Sequence, residues 1–292
     1  SAFSEMPDKQ QAWNDLIRLT TSEKSWGKYW AASALVSAFS DVPDKQKAWN
    51  DLIKLTNNED SWIRSKAMLA LVSAISDMTD KQQAWNDLIK LTVYGDNWVR
   101  SKAASVLASA FSNVSDKQQA WNDLIKLIAY GDNSIRSEAA SALASAFSNV
   151  LDKQQAWNDL IRLTCDGKVG VKAYANHCLG KISIFQASQA EKEEDYKKEL
   201  ENAIEFFERA AHESPRWNNP SRFCLPLYRS FYTIIFKREE SKEEANRYLT
   251  ETKYTVGNSK SKKLLFETVN NLARALKEAQ NLENMNLQIM QG

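Results

Sequence analysis

Between residues 45 and 55 the apolar positions fall at helical spacing. Ala48, Trp49, Leu52, Ile53 and Leu55 share one face, and Asn50, Asp51 and Lys54 point away from it. A second stripe follows at spacings of three and four: Ile63, Ala67, Ala70, Leu71, Ala74 and Ile75. The two stripes predict a helical hairpin. The same hairpin recurs around Trp13, Trp49, Trp85, Trp121 and Trp157, spaced by 36 residues each time without insertion. A fixed period of this size is the signature of stacked repeats, because one hairpin cannot bury both its helices alone.

Polar punctuation supports the helix limits. Asp8, Asp44, Asp80, Asp116 and Asp152 precede the first stripe, with Gln11, Gln83, Gln119 or Gln155 three residues on and Lys47 in the second copy. This spacing predicts a capping box, in which each side chain satisfies the other's free N–H. Asp60, Asp96 and Asp132 are placed to cap the second helix. Gly95, Gly131 and Gly167 suit a left-handed cap at the end of the first helix. Alanine dominates the second helix and allows close approach, while Trp and Leu of the first helix fill the remaining space.

The residues Asp60-x-x-Ile63-Arg64-x-x-Ala67, Asp96-x-x-Val99-Arg100-x-x-Ala103 and Asp132-x-x-Ile135-Arg136-x-x-Ala139, followed by Leu71, Leu107 and Leu143, resemble HEAT repeats, especially the short phycobilisome-lyase type. The match is degraded in the first copy, at Lys24, Gly27 and Lys28, and in the fifth, at Lys168, Val171 and Lys172. The resemblance implies an all-α, right-handed α-solenoid of five 36-residue hairpins. It also implies a binding scaffold whose second helices line the concave surface.

The repeat pattern ends near Phe185, so residues 1–186 are read as the array and 187–292 as a C-terminal helical domain of about four helices. The expected helices cover 190–213, about 222–238 with Pro226 early in it, about 241–254, and a long one from about Lys260 carrying Leu264, Leu265, Val269, Leu272 and Leu276. The start, Ser1–Pro7, matches Ser37–Pro43, the end of a second helix. It reads as a fragment of a longer array, with an uncovered apolar end expected to self-associate.

Charge narrows the function classes. The chain holds 38 basic and 37 acidic residues, a net charge of +1, with near balance on both sides of residue 186. That balance argues against a dedicated nucleic-acid binder. Cys165, Cys178 and Cys224 form no Cys-x-x-Cys pair, and a reducing cytoplasm is the simplest location. No apolar run is long enough for a membrane span. His177 and His212 have no partner at ligand spacing, so no metal is expected, and His177 is read as a polar-face residue. No unique acid, base, nucleophile or phosphate loop stands out, so no catalytic residue and no cofactor is assigned. Lys28, Arg64, Arg100, Arg136 and Lys172 form a basic column, expected to pair with aspartates of the same or adjacent repeat rather than to meet phosphates.

The copies differ mainly along one stripe of the second helix. It reads Trp26, Trp30, Ser33, Ser37, then Trp62, Lys66, Leu69, Ser73, then Trp98, Lys102, Ser105, Ser109, then Ser134, Glu138, Ser141, Ser145, then Gly170, Tyr174, His177, Lys181. At helical pitch this stripe lies about 120° from the apolar one. A core position would not accept Trp, Ser and Gly in turn. The stripe is therefore expected to face solvent and to form a partner-binding surface from Trp26, Trp30, Trp62, Lys66, Trp98, Lys102, Glu138 and Tyr174. The leading expectation is a non-enzymatic protein- or peptide-binding scaffold, as a sensing or docking module of a larger protein. The alternatives are a nucleic-acid binder similar to HEAT-like DNA glycosylases, using the same aromatic and basic residues, and a lyase-like enzyme.

Overall fold

The computed structural model describes residues 3, 5–22, 25–213, 219, 221–236, 244–245, 247–248 and 250–252. Among them every regular element is helical. The hairpins are α1 (Lys9–Thr20) with α2 (Ser25–Ala38), α3 (Lys45–Leu55) with α4 (Ser61–Ala74), α5 (Lys81–Tyr94) with α6 (Asn97–Ala110), and α7 (Lys117–Tyr130) with α8 (Asn133–Ala146). Each second helix tightens into a one-turn 3-10 segment, at Phe39–Asp41, Ile75–Asp77, Phe111–Asn113 and Phe147–Asn149. Then follow α9 (Lys153–Thr164), α10 (Val169–Gln189), α11 (Glu193–Glu213) and α12 (Ser221–Phe236). The architecture is an all-α solenoid of helical hairpins.

The chain forms two compact units, Ser1–Ala156 and Trp157–Gly292. The division falls inside α9. Position 186, where the repeat pattern fades, lies within α10, which continues unbroken to Gln189. The expected helices over 190–213 and 222–238 correspond to α11 and α12, with Pro226 inside α12. Of the expected third helix, the described residues between 244 and 252 are helical. The turn at Val256–Ser259 and the long helix from Lys260 lie outside the described residues.

In the first unit α2, α4, α6 and α8 run side by side, their backbones within 8 Å of their neighbours. Their facing residues are small, so the helices approach closely. Trp13, Trp49, Trp85 and Trp121 are fully buried between the layers. Each of Trp13, Trp85 and Trp121 sets its ring against the Phe that ends its own hairpin, at centroid distances of 6.0 Å for Phe39, 6.0 Å for Phe111 and 6.4 Å for Phe147. Trp157, the fifth member, is only half-buried and packs on Phe206 of α11 at 5.7 Å.

The copied polar residues join one hairpin to the next. The indole Nε1 of Trp13, Trp49 and Trp85 donates to Asp51, Asp87 and Asp123 of the following repeat, at 3.3, 3.2 and 3.2 Å. Lys45, Lys81 and Lys117 aim their Nζ at carbonyls of the preceding 3-10 turn, Phe39 and Ser40, Ile75 and Ser76, and Phe111, Ser112 and Val114. They answer the free C=O groups at the end of each second helix. Burial lowers the pKa of Lys45 and Lys117 from the ordinary lysine value.

Two expectations about the helix ends are corrected. The capping box is only half formed. Asp8, Asp44, Asp80, Asp116 and Asp152 do accept the backbone N–H three residues on. The Gln side chain, however, bonds elsewhere: Gln83 reaches forward to Asp87 at 2.9 Å, and Gln119 back to Asn86 of the preceding repeat at 3.3 Å. The N–H of the cap is taken instead by the previous repeat, Gln10 for Asp44 and Gln82 for Asp116. Gly95 and Gly131 are not left-handed; their φ values are −74° and −66°. What requires glycine is space. A Cβ would stand 2.9 Å from the Leu91 carbonyl and 2.8 Å from Val99 at one site, and 2.5 Å from the Leu127 carbonyl at the other. Gly167 has neither a positive φ nor a close neighbour.

Candidate functional site: the face of the second helices

α4, α6 and α8 begin at side-chain caps, and this fixes their register. Asp60 accepts from the Trp62 N–H, Asp96 from Val99, and Asp132 from Ser134 and Ile135. The same aspartates receive the basic column of the preceding repeat: Lys28 with Asp60 at 2.9 Å, Arg64 with Asp96 at 2.5 Å, Arg100 with Asp132 at 3.3 Å. The expected ladder between neighbouring repeats is therefore present. The ammonium of Lys28 holds the Asp60 carboxyl below the ordinary range, and Asp60 in turn raises the pKa of Lys28. Asp96 is lowered by the Val99 N–H and then by Arg64. Arg100 and Arg136 also donate through Nε to the carbonyls of Thr92 and Ile128 in their own hairpins. In the sequence, position 168, which would continue the acidic column, is lysine.

With the second helices in register, the varied stripe emerges on the surface. Trp26 and Trp30 are 78% and 74% exposed, Trp62 and Trp98 38% and 41%. Leu69 and Val72 are exposed beside them; Val72 lies off the predicted stripe, where the first copy also has valine, Val36, and the later copies have Ala108 and Ala144. Trp62 is better covered than Trp26 because it leans on the preceding second helix, edge-on to Tyr29 at 5.0 Å, with the Lys66 ammonium 4.8 Å from its ring centroid. Lys102 is exposed; Lys66 and Glu138 are half-exposed. α2, α4 and α6 carry five basic side chains, Lys28, Arg64, Lys66, Arg100 and Lys102, and no acidic one.

The stripe does not continue into the fifth copy. Tyr174, expected on the open surface, is buried, as is His177. Here α10 lacks the 3-10 turn and packs along α11. Phe207 of α11 lies 5.6 Å from His177, and a Cβ on Gly180 would meet the same ring at 2.6 Å. His177 Nδ1 shares a hydrogen bond with the Ser221 hydroxyl at 2.9 Å. Burial, then the charge of Lys181, lowers its pKa to about 3, so it is neutral at physiological pH. His177 is thus a core residue, not a polar-face one. Burial likewise pushes the thiols of Cys178 and Cys224 up to about 12.

Among the described residues no group of three or more His, Cys, Asp or Glu is arranged to hold a metal ion. Among them, too, no helix is long and apolar enough to cross a membrane. The linking columns of Lys, Gln and Trp–Asp pairs went unassigned from the sequence. Their signal was identity across copies beyond what amphipathicity demands.

No family model matches the chain, and no curated protein does. Among solved structures it is similar to two engineered proteins. One shares 22% identity over 84% of this chain and 97% of that chain, with a TM-score of 0.39. The other shares 19% over 98% and 93%, also with a TM-score of 0.39. It is also similar to the archaeal HEAT-like repeats protein from Thermococcus onnurineus NA1, at 16% identity over 90% of this chain and 97% of that chain, with a TM-score of 0.42. The stacked hairpins, with aspartates capping α4, α6 and α8 and basic–acidic pairs linking neighbouring repeats, make up an all-α array of helical repeats.

Proposed function

We propose that the chain is a protein- or peptide-binding scaffold whose docking surface is the face of α2, α4 and α6. One observation carries this reading. Four tryptophans, Trp26, Trp30, Trp62 and Trp98, remain in contact with solvent on helices that lie side by side. Burying such a ring is worth several kcal/mol, of order 2–4 at a binding hot spot. The stack itself does not need them, since Ser134 and Gly170 stand at the corresponding positions of later copies. Leu69 and Val72 extend the apolar surface, and Lys66 and Lys102 give it a polar rim.

The charge ladder weakens the nucleic-acid alternative. Lys28, Arg64 and Arg100 already face aspartates, which leaves few cations for a phosphate backbone. The test is capture of partners from a lysate by the wild-type chain and by the Trp30→Ala and Trp98→Ala variants, read by mass spectrometry. A partner held by the wild type and lost by both variants is the expected result. Equal capture by all three removes this face from the function.

A further inference from the structure

The second unit contains an instance of a second helix of this repeat with its outer face covered. The covering element is α11. Of its side chains, Leu200, Ala203, Phe207 and Ala210 are buried, at the spacing of one helical face. Phe207 is the anchor, seated against His177 and in the space opened by Gly180. The rest of α11 is acidic, with eight carboxylates against three basic side chains. Lys172, which holds the place of Lys28, Arg64 and Arg100 in the repeat, meets Glu213 of α11 at 3.7 Å. The fifth copy is therefore covered by an acidic amphipathic helix with an aromatic anchor.

The open face of the first unit has matching chemistry. It offers tryptophans, Leu69 and Val72, and its three helices bear basic side chains only. Three of the five cations are engaged by Asp60, Asp96 and Asp132, so Lys66 and Lys102 supply the attraction. We infer that the face of α2, α4 and α6 takes an acidic amphipathic helix of a partner protein. Its large apolar residues insert between the tryptophans of adjacent hairpins, and its carboxylates lie toward Lys66 and Lys102. An i, i+3, i+4, i+7 apolar edge suits such a groove. The charge match sets partner choice and on-rate more than total affinity. This inference rests on the docking-face reading and adds the chemical class of the occupant.

The experiment uses the full chain and three labelled probes in fluorescence-anisotropy titrations. They are a peptide of the α11 sequence, Glu193–Glu213, the same peptide with every charge reversed, and a short oligothymidylate. The acidic peptide is expected to bind saturably and to weaken as salt rises. Its affinity should fall about tenfold or more in the Lys66→Glu/Lys102→Glu variant, and comparably in Trp30→Ala and Trp98→Ala. Melting curves of the variants establish that they are folded, and Trp30→Ala, the most exposed of these sites, keeps the test open if another variant unfolds. Equal or tighter binding of the charge-reversed peptide, still lost in the tryptophan variants, overturns the acidic occupant and leaves the docking face standing. Peptide binding indifferent to Trp30 and Trp98, or no saturable peptide binding, overturns the inference. Tryptophan-dependent binding of the oligothymidylate alone overturns both the inference and the protein-binding reading.

Discussion

Trp85 and Trp98 belong to one hairpin and meet opposite surroundings. Trp85 is fully buried, sets its ring against Phe111 and donates its indole N–H to Asp123 in the next repeat. Trp98 is 41% exposed. The difference follows the repeat. The Trp85 column is copied in every hairpin, and its partners recur with it in the first unit: the Phe that ends the hairpin, replaced by Ile75 in the second copy, and the Asp of the following one, which accepts from Trp13, Trp49 and Trp85. The Trp98 column passes through Trp, Ser and Gly. An element that joins each hairpin to its neighbour must recur in every copy, because the interface recurs. A side chain that faces solvent is under no such demand, so Trp, Ser and Gly can follow one another there without disturbing the stack.

The largest effect expected from this contrast is on the buried side. Trp85→Ala should destabilise the first unit by about 3–5 kcal/mol in denaturant melts, chiefly through the cavity left, with a smaller part from the lost bond to Asp123, which keeps Lys126. A loss no greater than that of a surface substitution would erase the distinction between the two columns.

The fifth copy tests the stripe where it is covered. The folded pKa of His177, about 3, lies below its ordinary value of 6.5. The unfolded chain therefore binds the extra proton as pH falls below 6.5, and stability drains away between there and about 3 at close to 1.4 kcal/mol per pH unit. From pH 6.5 to 4.5 the loss should be about 2 kcal/mol, and His177→Gln should flatten that slope. An unchanged slope in His177→Gln would put the ring in water, as on the open copies.

Asp87 sharpens the account of the links. It accepts from the Trp49 indole and from Gln83. Asp87→Ala should cost about 1–3 kcal/mol by leaving the Trp49 N–H buried without an acceptor. Asp87→Asn, which keeps a carbonyl oxygen, should cost less, and equal melts for the two would show that the bond contributes little.

The smallest effect is expected at Trp30, 74% exposed. Trp30→Ala should change stability by less than about 0.5 kcal/mol, as surface sites do. A large loss would place this tryptophan among the structural ones. Trp62 should fall between the extremes, because its ring also covers Tyr29.

Much of this was legible because the chain repeats itself. Five aligned copies separate what the interface requires from what it tolerates, so the core tryptophans, the capping aspartates and the Asp–Arg ladder could be read before any coordinates. The helix limits of α11 and α12 also followed from local pattern. The glycines were misjudged for a physical reason. Gly95 and Gly131 sit where a cap glycine belongs, but their need is room beside the Leu91 and Leu127 carbonyls, which only the chain's path discloses. The half-made capping box failed likewise, since the competing Gln82 comes from another repeat.

By itself, then, the amino-acid sequence determined the period, the helical hairpins and which columns bind neighbour to neighbour, since these are local patterns and their recurrence. The tertiary structure decided where the varied stripe is open and where it is closed. Tyr174 and His177 occupy the same helical positions as Trp30 and Leu69, and nothing in the periodicity distinguishes them. They are buried because α10 runs on past the usual turn and α11 returns along it, bringing Phe207 against His177. Exposure is set by what packs on a face, and that contact is made by residues distant along the chain.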